Sequence, residues 1–114
     1  MTRPVCIIGS GYTAAVLTLH LLTRGMRPDQ LAIVGPGQLG QGQAYGCVSD
    51  DFRLNVRADL MRLWPDKPDH FANWAAASIT DDPAAQTAVG KFYRRRDFAA
   101  YMADQLASRP EIAD

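Results

Sequence analysis

The chain has 114 residues, 47% of them hydrophobic, with 12 Lys+Arg balanced by 12 Asp+Glu. That length suits one domain, residues 1–114, able to bury about two-thirds of the surface its unfolded chain exposes. A formal net charge of zero gives no general handle on nucleic-acid phosphates or an anionic membrane, and no apolar run approaches the ~18–20 residues of a membrane span. Thr2-Arg3-Pro4 does not lead into a secretory signal, and Cys6 and Cys47 lack metal-ligand spacing. A cytoplasmic protein with reduced, structural thiols is the expectation.

Val5-Cys6-Ile7-Ile8 is a short apolar run closed by glycine, which predicts a buried parallel strand. From Ala14 to Leu22 the apolar residues, Ala15, Leu19 and Leu22 among them, fall on one broad helical face. Arg24 and Gly25 suit the end of that helix. Arg27-Pro28-Asp29 predicts a turn, and Leu31-Ala32-Ile33-Val34 repeats the character of the first strand before Gly35. Strand, helix and strand in succession make a βαβ unit. Gly35 to Gly46 holds five glycines, the composition of a loop whose backbone must come close to something. Leu54-Asn55-Val56 is too short to type. Pro68-Asp69 predicts a helix start, with Phe71, Trp74 and Ala75 at helical spacing behind it. Thr80 to Gly90 reads as a surface loop. From Asp97 onward Phe98, Tyr101, Met102 and Leu106 share one face of a last helix, and Ser108 to Asp114 looks frayed.

Gly9-Ser10-Gly11-Tyr12-Thr13-Ala14 fits the pattern G-x-G-x-x-G/A at a strand-to-helix turn. Gly9 would allow the tight turn, Gly11 the approach of a pyrophosphate, and Ala14 close packing of helix on strand. The N–H groups of Tyr12 and Thr13 would then meet the phosphates at the helix N-terminus. Dinucleotide binding is one reading; a tight turn with no ligand is the other. The usual Asp or Glu at the end of the second strand, which holds the adenosine ribose, is replaced by Gly35. A charged hydrogen bond lost there would weaken binding by about 1.5–3 kcal/mol. No arginine follows the strand to favour a 2′-phosphate.

The order Gly9-Ser10-Gly11, Gly40-Gln41-Gly42-Gln43-Ala44-Tyr45-Gly46, Leu54-Asn55-Val56 and Pro68-Asp69-His70-Phe71 with Trp74 resembles a family of FAD/NAD(P)-binding proteins. These are relatives of flavin-dependent oxidoreductases and, more distantly, of N-hydroxylating monooxygenases. Phe92, Arg95, Phe98 and Tyr101 extend the match from about Val5 to Tyr101. The resemblance implies an α/β, Rossmann-like, three-layer domain with a short parallel sheet, in which the first βαβ cradles the FAD pyrophosphate and NAD(P)H is a second possible ligand. It implies that Gly40, Gly42, Tyr45 and Gly46 run near the cofactor, with Asn55 and Arg95 as secondary contacts. It also implies an N-terminal portion of longer proteins, whose members carry an acid where this chain has Gly35. A non-catalytic remnant or split subunit completed by a partner chain is the alternative, with Leu39, Tyr45, Leu60, Leu63 and Trp64 as its exposed patch.

Other candidates read more plainly. His20 fits a helical histidine and His70 a packing role at a helix start; with the two cysteines they form no metal site. Phe71 and Trp74 read as core. Arg94-Arg95-Arg96 reads as a solvated face rather than a nucleic-acid patch. No catalytic residue stands out.

Overall fold

β1 (Val5–Ile8) and β2 (Leu31–Val34) pair in parallel, Val5 opposite Leu31 and Ile8 opposite Val34. α1 (Tyr12–Thr23) forms the crossover between them. In this computed structural model residues 4–45, 49 and 51–109 are described; Gly46, Cys47, Asp50 and the tail from Pro110 lie outside them. α2 (Gly42–Tyr45), α3 (His70–Ser78), the two-residue strands β3 (Gln86–Thr87) and β4 (Gly90–Lys91), and α4 (Arg95–Ala107) complete the order. The chain divides into two compact units, Met1–Gly46 with Met102–Asp114, and Cys47–Tyr101.

The first unit is mixed α/β. Its sheet core is Ile7, Leu31 and Ala14, with Val5, Leu21, Met26, Ile33 and Leu39 packed around them. Because side chains alternate along a strand, Cys6, Ile8, Ala32 and Val34 fall on the other face. There Ile8 is 87% and Val34 58% exposed. The expectation of a fully buried strand is therefore corrected: one face of this sheet is packed and the other open. Parallel strands are hydrophobic on both faces because they usually lie between two layers, so the apolar run alone does not reveal which face is covered. Cys6 is a free, exposed thiol on that open face.

α1 begins two residues before the apolar pattern suggests and ends as expected, with Arg24 as C-cap and Gly25 at φ +102°. Ala15, Thr18 and Leu19 are buried on it. Thr18 Oγ1 donates to the Ala14 carbonyl at 2.7 Å, which satisfies a buried hydroxyl inside the helix itself. Gly40, at φ +101°, sits where a Cβ would lie 3.5–3.7 Å from Leu106, Ala15 and Met102, so the loop after β2 passes close over helical side chains.

The second unit is held by aromatic packing and buried charge. Phe71 lies 5.0 Å from both Phe98 and Tyr101 and 5.9 Å from Tyr93, ring centre to ring centre. The tilted and edge-on arrangements are those that ring quadrupoles favour. Phe71 is core, as its spacing predicts, while Trp74 is half-buried and stacks on it at 6.4 Å. His70 Nδ1 and the Tyr101 hydroxyl are 2.6 Å apart, giving the hydroxyl of a fully buried ring a partner.

Three expectations are corrected in this unit. Leu63 is buried and Trp64 half-buried, so they do not form an exposed patch; Leu39, in the first unit, likewise packs on its core. The 80–90 segment is not a bare loop, since β3 and β4 form a small antiparallel hairpin. Arg94 is only 5% exposed and is not part of a solvated face. Its Nε donates to Asp97 and its Nη2 to Asp81, both at 2.7 Å. Beside it, Arg53 grips Asp82 through both Nη atoms at 2.9 and 2.7 Å and donates to the Phe92 carbonyl at 2.9 Å.

These pairs make acid the weak side of the second unit. The Arg53 hydrogen bond holds the Asp82 carboxyl below its usual range, and the Arg94 hydrogen bond does the same for Asp81. A carboxyl depressed in the folded state contributes stability above its unfolded pKa of about 3.9 and loses it as pH falls through the folded value. Urea midpoints should therefore hold steady from about pH 7 to 5 and fall below about pH 4. An Asp82→Asn protein should start with a lower midpoint and fall less. Equal acid sensitivity of the two proteins would remove Asp82 from the account.

Candidate functional site

The candidate site of the first unit is the turn from β1 into α1. Gly9 holds φ +127°, a region closed to residues with a Cβ, and its N–H donates to the Val34 carbonyl at 2.6 Å. Ser10 is buried. Its hydroxyl donates to the Pro36 carbonyl, and its own carbonyl accepts from the Gly40 N–H at 2.7 Å. The exits of β1 and β2 are thus tied together by backbone and one hydroxyl. Ser10 faces inward as a tie and offers its side chain to that tie rather than to a ligand.

Gly11 is the N-cap of α1, in extended geometry, without any side-chain cap, and the first turn carries no acid. The leading N–H groups of a helix have no partner within it, and here no side chain at the N-cap or carboxylate in the turn answers their partial positive charge. Gly11 and Gly42 face each other: a Cβ on Gly11 would lie 3.6 Å from the Gly42 Cα, and one on Gly42 would lie 3.0 Å from the Gly11 Cα. Tyr12 and Tyr45 approach to 5.9 Å between ring centres, and burial pushes the Tyr12 phenol above its ordinary pKa.

A cleft of about 410 Å³ opens at this turn, within the ~300–1,000 Å³ of small-molecule sites. Ile7, Ile8, Ala14 and Leu17 line it together with Gly9, Gly11, Tyr12 and Thr13 of the turn. Such a surface can hold an anion through backbone donors and an apolar group against its walls. Ile8 and Leu17, both exposed, were not among the residues singled out from sequence. The signal available was their position, directly before the first glycine and about one turn beyond Thr13 on α1.

Of the residues proposed from sequence, Gly9, Ser10, Gly11, Tyr12, Thr13, Gly35, Gly42 and Tyr45 all belong to the first unit. Asn55 and Arg95 belong to the second, where Asn55 is exposed and Arg95 donates from Nε to the Arg53 carbonyl at 3.1 Å. Among the described residues no cluster of three or more His, Cys, Asp or Glu could hold a metal. No helix among them is long and apolar enough to cross a membrane.

Neither the curated proteins nor the solved structures contain a match to this chain. A family model described as FAD-NAD(P)-binding does match it, over residues 6–112. With strand, glycine turn, uncapped helix and second parallel strand in the order this chemistry requires, the chain belongs to the FAD-NAD(P)-binding family.

Proposed function

We propose that the chain binds FAD, with the pyrophosphate on the N–H groups at Gly11, Tyr12 and Thr13, as part of a flavin-dependent oxidoreductase. One observation carries this reading: the N-terminus of α1 is uncapped and acid-free at the mouth of a cleft beside Gly11 and Gly42. An anion there meets the leading N–H groups of a helix, which have no partner within the helix itself. The family match runs through both units, which supports reading the chain as one cofactor-binding domain; the roles of Asn55 and Arg95 rest on the family resemblance alone. When bound, the flavin supplies the redox chemistry and the chain supplies binding and orientation.

The open sheet face around Ile8 and Val34 supports a third layer, from this protein or a partner chain, over a Rossmann-like sheet. A chain that needs such a layer does not turn over substrate by itself.

The test is an absorption spectrum of the purified protein, followed by FAD titration watched through flavin fluorescence. Binding at about micromolar concentration is expected. Colourless protein that leaves FAD fluorescence unchanged at ~1 mM would overturn the FAD assignment.

A further inference from the structure

We infer that the site is blind to charge at the adenosine ribose, binding 2′-hydroxyl and 2′-phosphate dinucleotides almost equally. The inference rests on the dinucleotide reading above. Discrimination at a site of this kind comes from the residue that ends the second strand: a carboxylate accepts from the 2′-hydroxyl and repels a 2′-phosphate, and an arginine does the reverse. Here that residue is Gly35, and the structure shows why it is glycine. A Cβ at Gly35 would lie 2.7 Å from the Gly9 carbonyl carbon, 2.8 Å from the Ser10 nitrogen and 2.9 Å from the Ser10 Cβ. All are closer than atoms in contact can come. The corner that holds a ribose-binding side chain elsewhere is filled by the glycine turn itself, tied through Ser10 to Pro36.

No neighbour in sequence replaces the missing charge. Between Asp29 and Asp50 the chain has no Asp, Glu, Lys or Arg, and between Arg3 and Arg24 it has none either. These two stretches contain β1, the glycine turn, α1, β2 and the loop after it. Among the polar side chains of that loop are two amides, Gln38 and Gln41, which lie 3.3 Å apart. An amide can bond a hydroxyl or a phosphate. With neither an attractive nor a repulsive charge in these stretches, the usual source of a difference between the two affinities is missing at the second-strand corner.

The test uses the full chain and calorimetric titration with ADP-ribose and 2′-phospho-ADP-ribose, which share a pyrophosphate and differ only at the 2′ position. Dissociation constants within about threefold of each other are expected. A preference of about tenfold or more in either direction overturns the inference. If FAD binds and neither probe does, the ribose-blind site falls while the pyrophosphate site stands. If FAD also fails to bind, the dinucleotide reading itself falls.

Gly35→Glu gives a second test. With no room for its Cβ, the glutamate must displace Gly9 and Ser10, so binding of both probes should weaken together and Tm should drop. Tighter binding of ADP-ribose alone would show that the corner is open, and would overturn the inference.

Discussion

Arg94→Met should cost the second unit about 3–5 kcal/mol, the usual loss when one partner is removed from a buried ion pair. Domains are stable by only about 5–15 kcal/mol, so the loss removes a large fraction of the total and should lower the urea midpoint clearly. Arg94 is the cation shared by Asp97, at 2.7 Å, and Asp81, also at 2.7 Å, with Asp82 at 3.6 Å. Asp82 has only 4% of its side chain exposed and Asp97 12%. Without Arg94, Asp97 loses its ion-pair partner where it has little access to water, and Asp82 relies on Arg53. In the parent protein these pairs hold Arg94 firmly protonated, the Asp97 hydrogen bond most of all.

Arg27→Met is the matched control. Its pair with Asp29 has side chains 69% and 44% exposed, and exposed pairs contribute about 0–1 kcal/mol. Arg27 lies in the first unit and Arg94 in the second, so urea unfolding followed by far-UV circular dichroism, which reads the helices of both, separates the two variants. A loss at Arg94 no larger than that at Arg27 would mean that the network is ornamental.

The contrast between the units also explains what the sequence could disclose. β1, α1 and β2 are declared by residues near one another: an apolar run, a glycine that stops it, a helical period, a second run. Each signal acts over a few positions, and the observed elements follow it closely. The arginine network has no such signature. Arg94 reaches Asp81 across 13 positions and Arg53 reaches Asp82 across 29, and periodicity carries no information about pairing at that range. Only Arg94 and Asp97, three apart, have a spacing that suggests a pair. A run of three arginines therefore resembles a solvated face until the fold places one inside.

Gly35 is a different case. Sequence shows that an acid is missing, whereas the structure shows that its place is occupied by Gly9 and Ser10. Ile8 is a third. Its residue type fits a buried strand equally well whether one or two layers cover the sheet, and only coordinates distinguish the two.

Gly11→Asp should raise stability by about 1 kcal/mol while lowering dinucleotide affinity by about a hundredfold or more. Asp is among the best N-cap residues, its charge complements the helix dipole, and replacing glycine reduces the freedom of the unfolded chain. The backbone accepts the change: Gly11 has φ −84° in extended geometry, and its Cβ would meet the Gly42 Cα at an ordinary 3.6 Å. The fold therefore does not need glycine here, unlike at Gly9 and Gly35. A ligand does. The new carboxylate would accept from the same first-turn N–H groups that a pyrophosphate requires, and would repel its charge. Thermal melts and FAD titration of the two proteins decide the point. A rise in Tm of a few degrees with loss of FAD binding would identify Gly11 as a residue kept for its ligand. Unchanged FAD affinity would place the pyrophosphate elsewhere, and a fall in Tm would show that the turn needs glycine for its own sake.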